Sequence, residues 1–298
     1  MSEQFAELEG GITLCYETFG DAADRPLLLV MGLGTQMVAW RDAFCRELAG
    51  RGFHVIRYDN RDCGRSTTMK GRPPTMVELT TRRPRAVAYS LGDLADDAIG
   101  LLDHLGAGRA HIVGASMGGM IAQHLGFDHP QRVLTLTSIM ASTGHRVLGQ
   151  PRLSVMPMFL ARPEGGREAY IERAQKLFKA VGSRKYFDED NVREISELQW
   201  ERGINYAGTS RQLAAIMADR NRTRRLRRIS APTLVIHGTD DRLVAPSGGR
   251  ATARAVPGAR LMMVDHMGHD MPRQVWPLLI DAIAENANRA GNRTEVAA

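Results

Sequence analysis

The sequence is poor in the features that assign a protein at sight. No stretch of its 298 residues approaches the roughly 18–20 apolar residues that a membrane span requires. The opening MSEQFAELEGG has neither a basic start nor an apolar run, so it does not read as a targeting segment, and the expectation is a soluble, cytoplasmic protein. Cysteine is scarce. Cys15, Cys45 and Cys63 are odd in number and widely spaced, with no C-x-x-C pair, which argues against a disulfide framework and against a zinc or redox motif. Idle buried thiols, no metal and no cofactor are the expectation. There is no internal repeat and no low-complexity tract.

Excess charge of one sign is modest. The formal net charge of +6 comes largely from arginine, dense in RNRTRRLRR (220–228) and RRPR (82–85). Neither run has the interleaved aromatics or the motif of a nucleic-acid module, so both are read as solvated, anion-attracting faces and no nucleic-acid partner is expected. What is present is ordinary globular composition, 43% hydrophobic and 24% charged, in a chain long enough for one large core carrying an inserted subdomain.

The patterning alternates strand and helix. ITLCYETFG (12–20) alternates apolar and polar residues after a Gly10-Gly11 turn, as a half-exposed antiparallel strand does. PLLLVMG (26–32), HVIRYD (54–59), AHIVGAS (110–116), VLTLTSI (133–139), PTLVIHG (232–238) and RLMMVD (260–265) are short and almost wholly apolar, as strands buried on both faces of a parallel sheet must be. LGDLADDAIGLLDHLG and MGGMIAQHLGFDHP between them carry helical spacing and end at Gly106 and a proline. The fold class is therefore α/β, a mostly parallel sheet with helices on both faces.

The alternation breaks once. From about Thr143 to Arg225 no strand pattern is convincing, and helix-like stretches such as REAYIERAQKLFKAVG and NVREISELQWERG dominate. A structureless loop of that length is improbable in a compact domain. The organisation expected is a core of residues 1–142 and 226–298, with a helical cap over 143–225.

HIVGASMGGM (111–120) sets one serine between Gly114 and Gly118, after a strand and before a helix. A sharp strand-to-helix turn holds Ser116 in a strained backbone conformation above the carboxyl edge of the sheet. Side chains at the flanking positions would collide with strand or helix. The same turn places the Met117 amide at a helix N-terminus, aimed where an oxyanion would form. Serine is a weak nucleophile without a base, and the base needs an acid to hold its tautomer. PTLVIHG runs into TDDRLVAP and RLMMVD into HMGHDMP, which supplies Asp240 or Asp241 and then His266 or His269, in the chain order Ser, Asp, His.

These segments resemble the α/β-hydrolase-fold serine esterases, most closely the group that includes aclacinomycin methylesterase. LLLVMG, HVIRYDNRDCGRST, GASMGG, PTLVIHGTDD and MGHDMP carry the resemblance, which covers most of the chain outside the insertion. It implies Asp241, three residues after the glycine that ends its strand, over Asp240, and His269, which follows Gly268, over His266. It also implies Leu33 as the second oxyanion amide beside Met117. Two positions depart from the pattern of relatives. Met31-Gly32 stands where many have His-Gly, and in DNRDCGRS Asp62 replaces the first glycine of D-x-R-G-x-G-x-S, while Asp59 and Arg61 are expected to brace that loop.

The function these readings imply is a serine carboxylesterase that cleaves small to medium lipophilic esters through an acyl-enzyme. Cofactor-free perhydrolase, enol-lactonase and carbon–carbon bond hydrolase chemistry use the same three residues, and a ligand-binding receptor of this fold is the non-enzymatic alternative. Haloalkane dehalogenases and epoxide hydrolases resemble the chain only with aspartate at position 116. Within the insertion, Met156, Phe159, Trp200 and Tyr206 are candidates for the substrate pocket, since methionine and aromatic side chains suit irregular apolar ligands. The partner expected is a small-molecule ester. Composition does not set the oligomeric state.

Overall fold

A computed structural model describes residues 3–81, 84–85, 87–155 and 165–290. Eight strands form one sheet: β1 (Gln4–Leu8), β2 (Ile12–Phe19), β3 (Arg25–Val30), β4 (Phe53–Tyr58), β5 (Ala110–Ala115), β6 (Val133–Ile139), β7 (Thr233–Gly238) and β8 (Arg260–Val264), in the order β1-β2-β4-β3-β5-β6-β7-β8. β1 and β2 pair antiparallel with each other and β2 pairs antiparallel with β4, while β3 to β8 run parallel. Seven of these strands fall where the patterning predicts them. β1 does not appear in that reading, because QFAEL at the sheet edge buries only Ala6 and so carries no alternation to detect.

The helices are α1 (Asp42–Ala49), α2 (Met76–Thr81), α3 (Leu91–His104), α4 (Met117–Asp128), α5 (Arg167–Val181), α6 (Glu189–Arg202), α7 (Tyr206–Ala218), α8 (Thr223–Leu226), α9 (Ser247–Ala255) and α10 (Trp276–Asn288). α3 begins where Ser90 and Asp93 cap each other's backbone amides, a reciprocal arrangement that satisfies two orphan donors. Alternation along β3 explains the layering. Leu28 and Val30 point into a cluster with α3 and α4, and Leu27 and Leu29 into a second cluster with α1 and α10. All four side chains are fully buried, each contributing about 1.5–3 kcal/mol.

Among the described residues no strand lies between β6 and β7, and α5 to α8 fill that interval. They rest on the loops that follow the strands' carboxyl ends. Arg202 of α6 meets Asp59 at 2.7 Å, Arg211 of α7 meets Asp62 at 2.6 Å, and Val181 at the end of α5 accepts from the His269 amide at 2.8 Å. Among the described residues no helix is long and apolar enough to cross a membrane. The chain passes from β3 outward to β4 and returns to β5 on the other side of β3, which makes the β3/β5 junction a switch in strand order. Open α/β sheets form their crevices at the carboxyl ends of strands flanking such a switch.

Candidate active site

Ser116 stands at that junction. Its backbone sits at φ 56° and ψ −118°, a combination that costs a residue with a side chain about 1–3 kcal/mol and persists only where the surroundings enforce it. The enforcement comes from close packing of strand, turn and helix. A Cβ at Gly114 would strike the Gly118 carbonyl, and one at Gly118 would strike the Val30 carbonyl of β3. Two glycines thus permit a turn that leaves Oγ at the start of α4.

His269 and Asp241 arrive from the loops after β8 and β7. His269 Nε2 lies 3.0 Å from Ser116 Oγ, and its Nδ1 lies 2.8 Å from Asp241 Oδ2. The other carboxylate oxygen, Oδ1, accepts from the amides of Leu243 (2.9 Å) and Val244 (2.8 Å), so the acid is tied to its own loop. Asp241 is 1% exposed and His269 9%. Burial raises the Asp241 carboxyl, but the charge of His269 and hydrogen bonds from His237 and His269 outweigh it and bring the pKa down to about 2. An ionised carboxylate facing Nδ1 leaves Nε2 as the nitrogen that can take a proton from Ser116.

The neighbouring candidates lie elsewhere. Asp240 is half-buried and His266 exposed, their charged atoms lie 4.0 Å apart, and neither approaches Ser116 by a hydrogen bond among the described residues. The loop bearing His269 is held from below: Ser183 Oγ accepts from the Gly268 amide at 2.9 Å and donates to Asp270 Oδ1 at 2.5 Å. Burial pushes the Asp270 carboxyl up, against the opposing hydrogen bonds from Ser183. No pattern in the sequence singles out Ser183 or Asp270.

The loop after β3 runs past the serine, with Gly32 so close that a Cβ there would sit 3.1 Å from Ser116 Cβ. Among the described residues neither the Leu33 nor the Met117 amide has a hydrogen-bond acceptor. The next amide, Gly34, is taken: it donates to Gln212 Oε1 at 2.8 Å, while Gln212 Nε2 donates to the Arg61 carbonyl at 2.9 Å. Gln212 lies on α7 and is fully buried. It joins the loops after β3 and β4 to the inserted helices.

The departure at Asp62 has a structural reason. Its φ of 67° is a left-handed conformation suited to glycine, and its carboxylate is received by Arg211 (2.6 and 2.8 Å), Tyr89 (2.8 Å) and the Met69 amide (2.9 Å). Asp59 accepts from the Met37 and Arg65 amides and from Arg202, and Arg61 forms a two-pronged pair with Asp97 of α3. Of the candidate pocket residues, Trp200 and Tyr206 are half-buried on α6 and α7. Trp200 packs on Tyr170, and the Tyr206 hydroxyl accepts from Arg173 at 2.9 Å. Met156 and Phe159 lie outside the described residues.

Sequence comparison reaches the same architecture independently. Rhodomycin D methylesterase of Streptomyces sp. (strain C5) is 33% identical, over 94% of this chain and 96% of that protein. The 3-oxoadipate enol-lactonase 2 of Acinetobacter baylyi is 26% identical, over 93% and 95% of the two chains. Among solved structures, the enol-lactonase of Burkholderia xenovorans LB400 superposes with a TM-score of 0.76 at 24% identity, covering 96% of this chain and 100% of that one. The pattern of the alpha/beta hydrolase fold matches residues 25–272, and with that match spanning the parallel strands β3 to β8, the serine turn and both later loops, the chain belongs to the α/β hydrolase family.

Proposed function

We propose that this chain is a serine carboxylesterase acting on lipophilic carboxylic esters, with small alkyl esters such as methyl esters as its best substrates. The reading rests on one observation, the continuous relay from Ser116 Oγ through His269 to Asp241 at 3.0 and 2.8 Å. The names of two relatives above 30% identity, both rhodomycin D methylesterases, support the methyl ester.

In this reading His269 Nε2 accepts the Ser116 proton as Oγ attacks the ester carbonyl. The Leu33 and Met117 amides hold the oxyanion, and Asp241 stabilises the imidazolium. His269 then returns the proton to the departing alkoxide, leaving an acyl-serine and a free alcohol. Water, deprotonated by the same histidine, attacks the acyl carbonyl and releases the acid. The inserted segment 143–225 acts as a lid, and Trp200 and Tyr206 contribute to the pocket beneath it.

The test is fluorophosphonate labelling together with alcohol release from methyl esters. Stoichiometric labelling that is lost in Ser116→Ala, with methanol released by the wild type, is the expected result. His269→Ala should lower kcat by several orders of magnitude and His266→Ala should leave it nearly unchanged. An enzyme that opens lactones and releases no alcohol from acyclic esters would favour lactonase chemistry on the same residues. A His266→Ala variant as inactive as His269→Ala, with the fold intact, would overturn the assignment.

A further inference from the structure

A second histidine stands behind the triad acid. His237, the penultimate residue of β7, is fully buried, and its Nε2 lies 2.8 Å from the Val244 carbonyl and 3.4 Å from Asp241 Oδ2. A carbonyl only accepts, so Nε2 carries the hydrogen and Nδ1 presents a lone pair. Among the described residues that lone pair has no partner. On its side the ring meets the backbone of α9, where a Cβ at Gly249 would come within 2.5 Å of Nδ1.

An orphaned buried nitrogen costs about 1–3 kcal/mol, and the three preceding strand residues, Leu234, Val235 and Ile236, are all apolar. A side chain that only filled space here would cost less as leucine. The use of the imidazole is on its other side. Val244 is held at both ends, its amide on Asp241 Oδ1 and its carbonyl on His237 Nε2, so two hydrogen bonds link His237 through Val244 to Asp241, and the same Nε2 stands 3.4 Å from Oδ2. Oδ2 therefore lies between two imidazoles, His269 at 2.8 Å on the substrate side and His237 at 3.4 Å behind.

We infer that His237 is a positioning residue for the acid of the triad: by holding the Val244 carbonyl and flanking Oδ2 it fixes the rotation of the Asp241 carboxylate so that one lone pair faces His269 Nδ1. This inference rests on the esterase reading above. Without the His237 donor the Val244 carbonyl loses its anchor, the carboxylate keeps only its loop amides and turns more readily, and Oδ2, without the imidazole N–H beside it, is more basic toward His269. The base is then oriented less well and its protonated form is favoured. Turnover falls and the acid limb of the kcat/KM profile moves to higher pH. Substrate contacts are untouched, so KM changes little.

Two substitutions separate this role from packing. In His237→Gln the side-chain amide nitrogen reaches the position of Nε2 and can still donate to Val244; in His237→Asn the amide reaches only the position of Nδ1. Both are smaller than histidine and both keep a polar group in the site. Expected for His237→Asn is a kcat about 10- to 100-fold lower, by analogy with the loss when a residue that orients a metal-ligating side chain is removed, with KM within about threefold and the acid limb displaced upward. His237→Gln should stay within about threefold of wild type. Activity is counted per fluorophosphonate-reactive serine, so unfolded material does not enter, and melting temperature is measured for both. Equal kcat in the two variants, or losses that follow melting temperature with an unmoved pH profile, would overturn the positioning role. Failure of the wild type to label with fluorophosphonate would instead defeat the esterase reading, which keeps the two outcomes distinct.

Discussion

Replacing Asp62 is the sharpest test of how the inserted helices are fastened to the sheet. The carboxylate is 1% exposed and receives both prongs of Arg211, itself a buried side chain on α7, as well as the Tyr89 hydroxyl and the Met69 amide. Burial raises the Asp62 carboxyl, and the Arg211 pair with the other donors more than reverses it, so the group is ionised at neutral pH. Truncation to alanine leaves a guanidinium buried without its counter-charge, which costs about 3–5 kcal/mol. Asp62→Gly removes the same partners but releases the left-handed backbone, whose penalty for a residue with a Cβ is about 1–2 kcal/mol. The glycine variant should therefore be less destabilised than the alanine variant by that margin. Adding Arg211→Met should recover most of the loss, because it removes the stranded charge and keeps the volume. Urea unfolding at pH 7 gives these differences from the midpoints if the slope is unchanged. Asp62→Gly as stable as wild type, or a double variant no better than the single one, would refute the argument.

Asp219 predicts an acid limb. Burial raises it, but His124 and Arg222 hold it down to about 2, against about 3.9 for an unfolded aspartate. A depressed folded pKa gives stability that is fully present above about pH 4 and lost as pH falls toward 2, roughly 2–3 kcal/mol in all. Asp219→Asn should lower the urea midpoint at pH 7 and flatten its decline between pH 4 and 2; a slope equal to wild type would contradict this. Gln212→Leu should strip the Gly34 amide and the Arg61 carbonyl of their partner and loosen the loop that carries the proposed oxyanion donor Leu33. Loss of a whole oxyanion donor costs about 10²–10³ in kcat, so an indirect loosening is expected to lower kcat about tenfold, with less change in KM. A kcat equal to wild type on a methyl ester would show that the loop holds without α7.

Much of this architecture was legible because its determinants are local. A two-faced parallel strand needs an apolar run and a strand-to-helix turn around serine needs flanking glycines, and both are written within ten residues. The choice between Asp240 and Asp241, and between His266 and His269, was not local: both pairs occupy plausible turns, and only resemblance distinguished them before the folded loops separated buried from exposed. β1 gave no signal because an edge strand with one buried side chain has no period. Nor did the ties of α7. Arg211 reaches Asp62 across 149 residues, and Gln212 reaches Gly34 across 178, so neither sequence neighbourhood predicts its partner. His237 reads as one more member of an apolar strand, and its significance lies only in what its ring faces.

The hydrogen bond between Ser116 and His269 joins positions 153 residues apart. At about 5–20 residues per second of synthesis, the serine turn precedes its base by roughly 8–30 s. During that interval the emerging chain has β3, β5 and the strained serine, but neither β7, which carries the loop of the acid, nor β8, which carries that of the base. The edge of β6 awaits β7, and the protecting pair of strands has yet to be made. A ribosome-bound chain halted before residue 233 should therefore resist fluorophosphonate, however well its first six strands have paired. On the proposed roles of Asp241 and His269, the order of the strands along the chain would keep the serine inert until the sheet is finished, and unfinished chains would be a hazard for aggregation and not for stray hydrolysis.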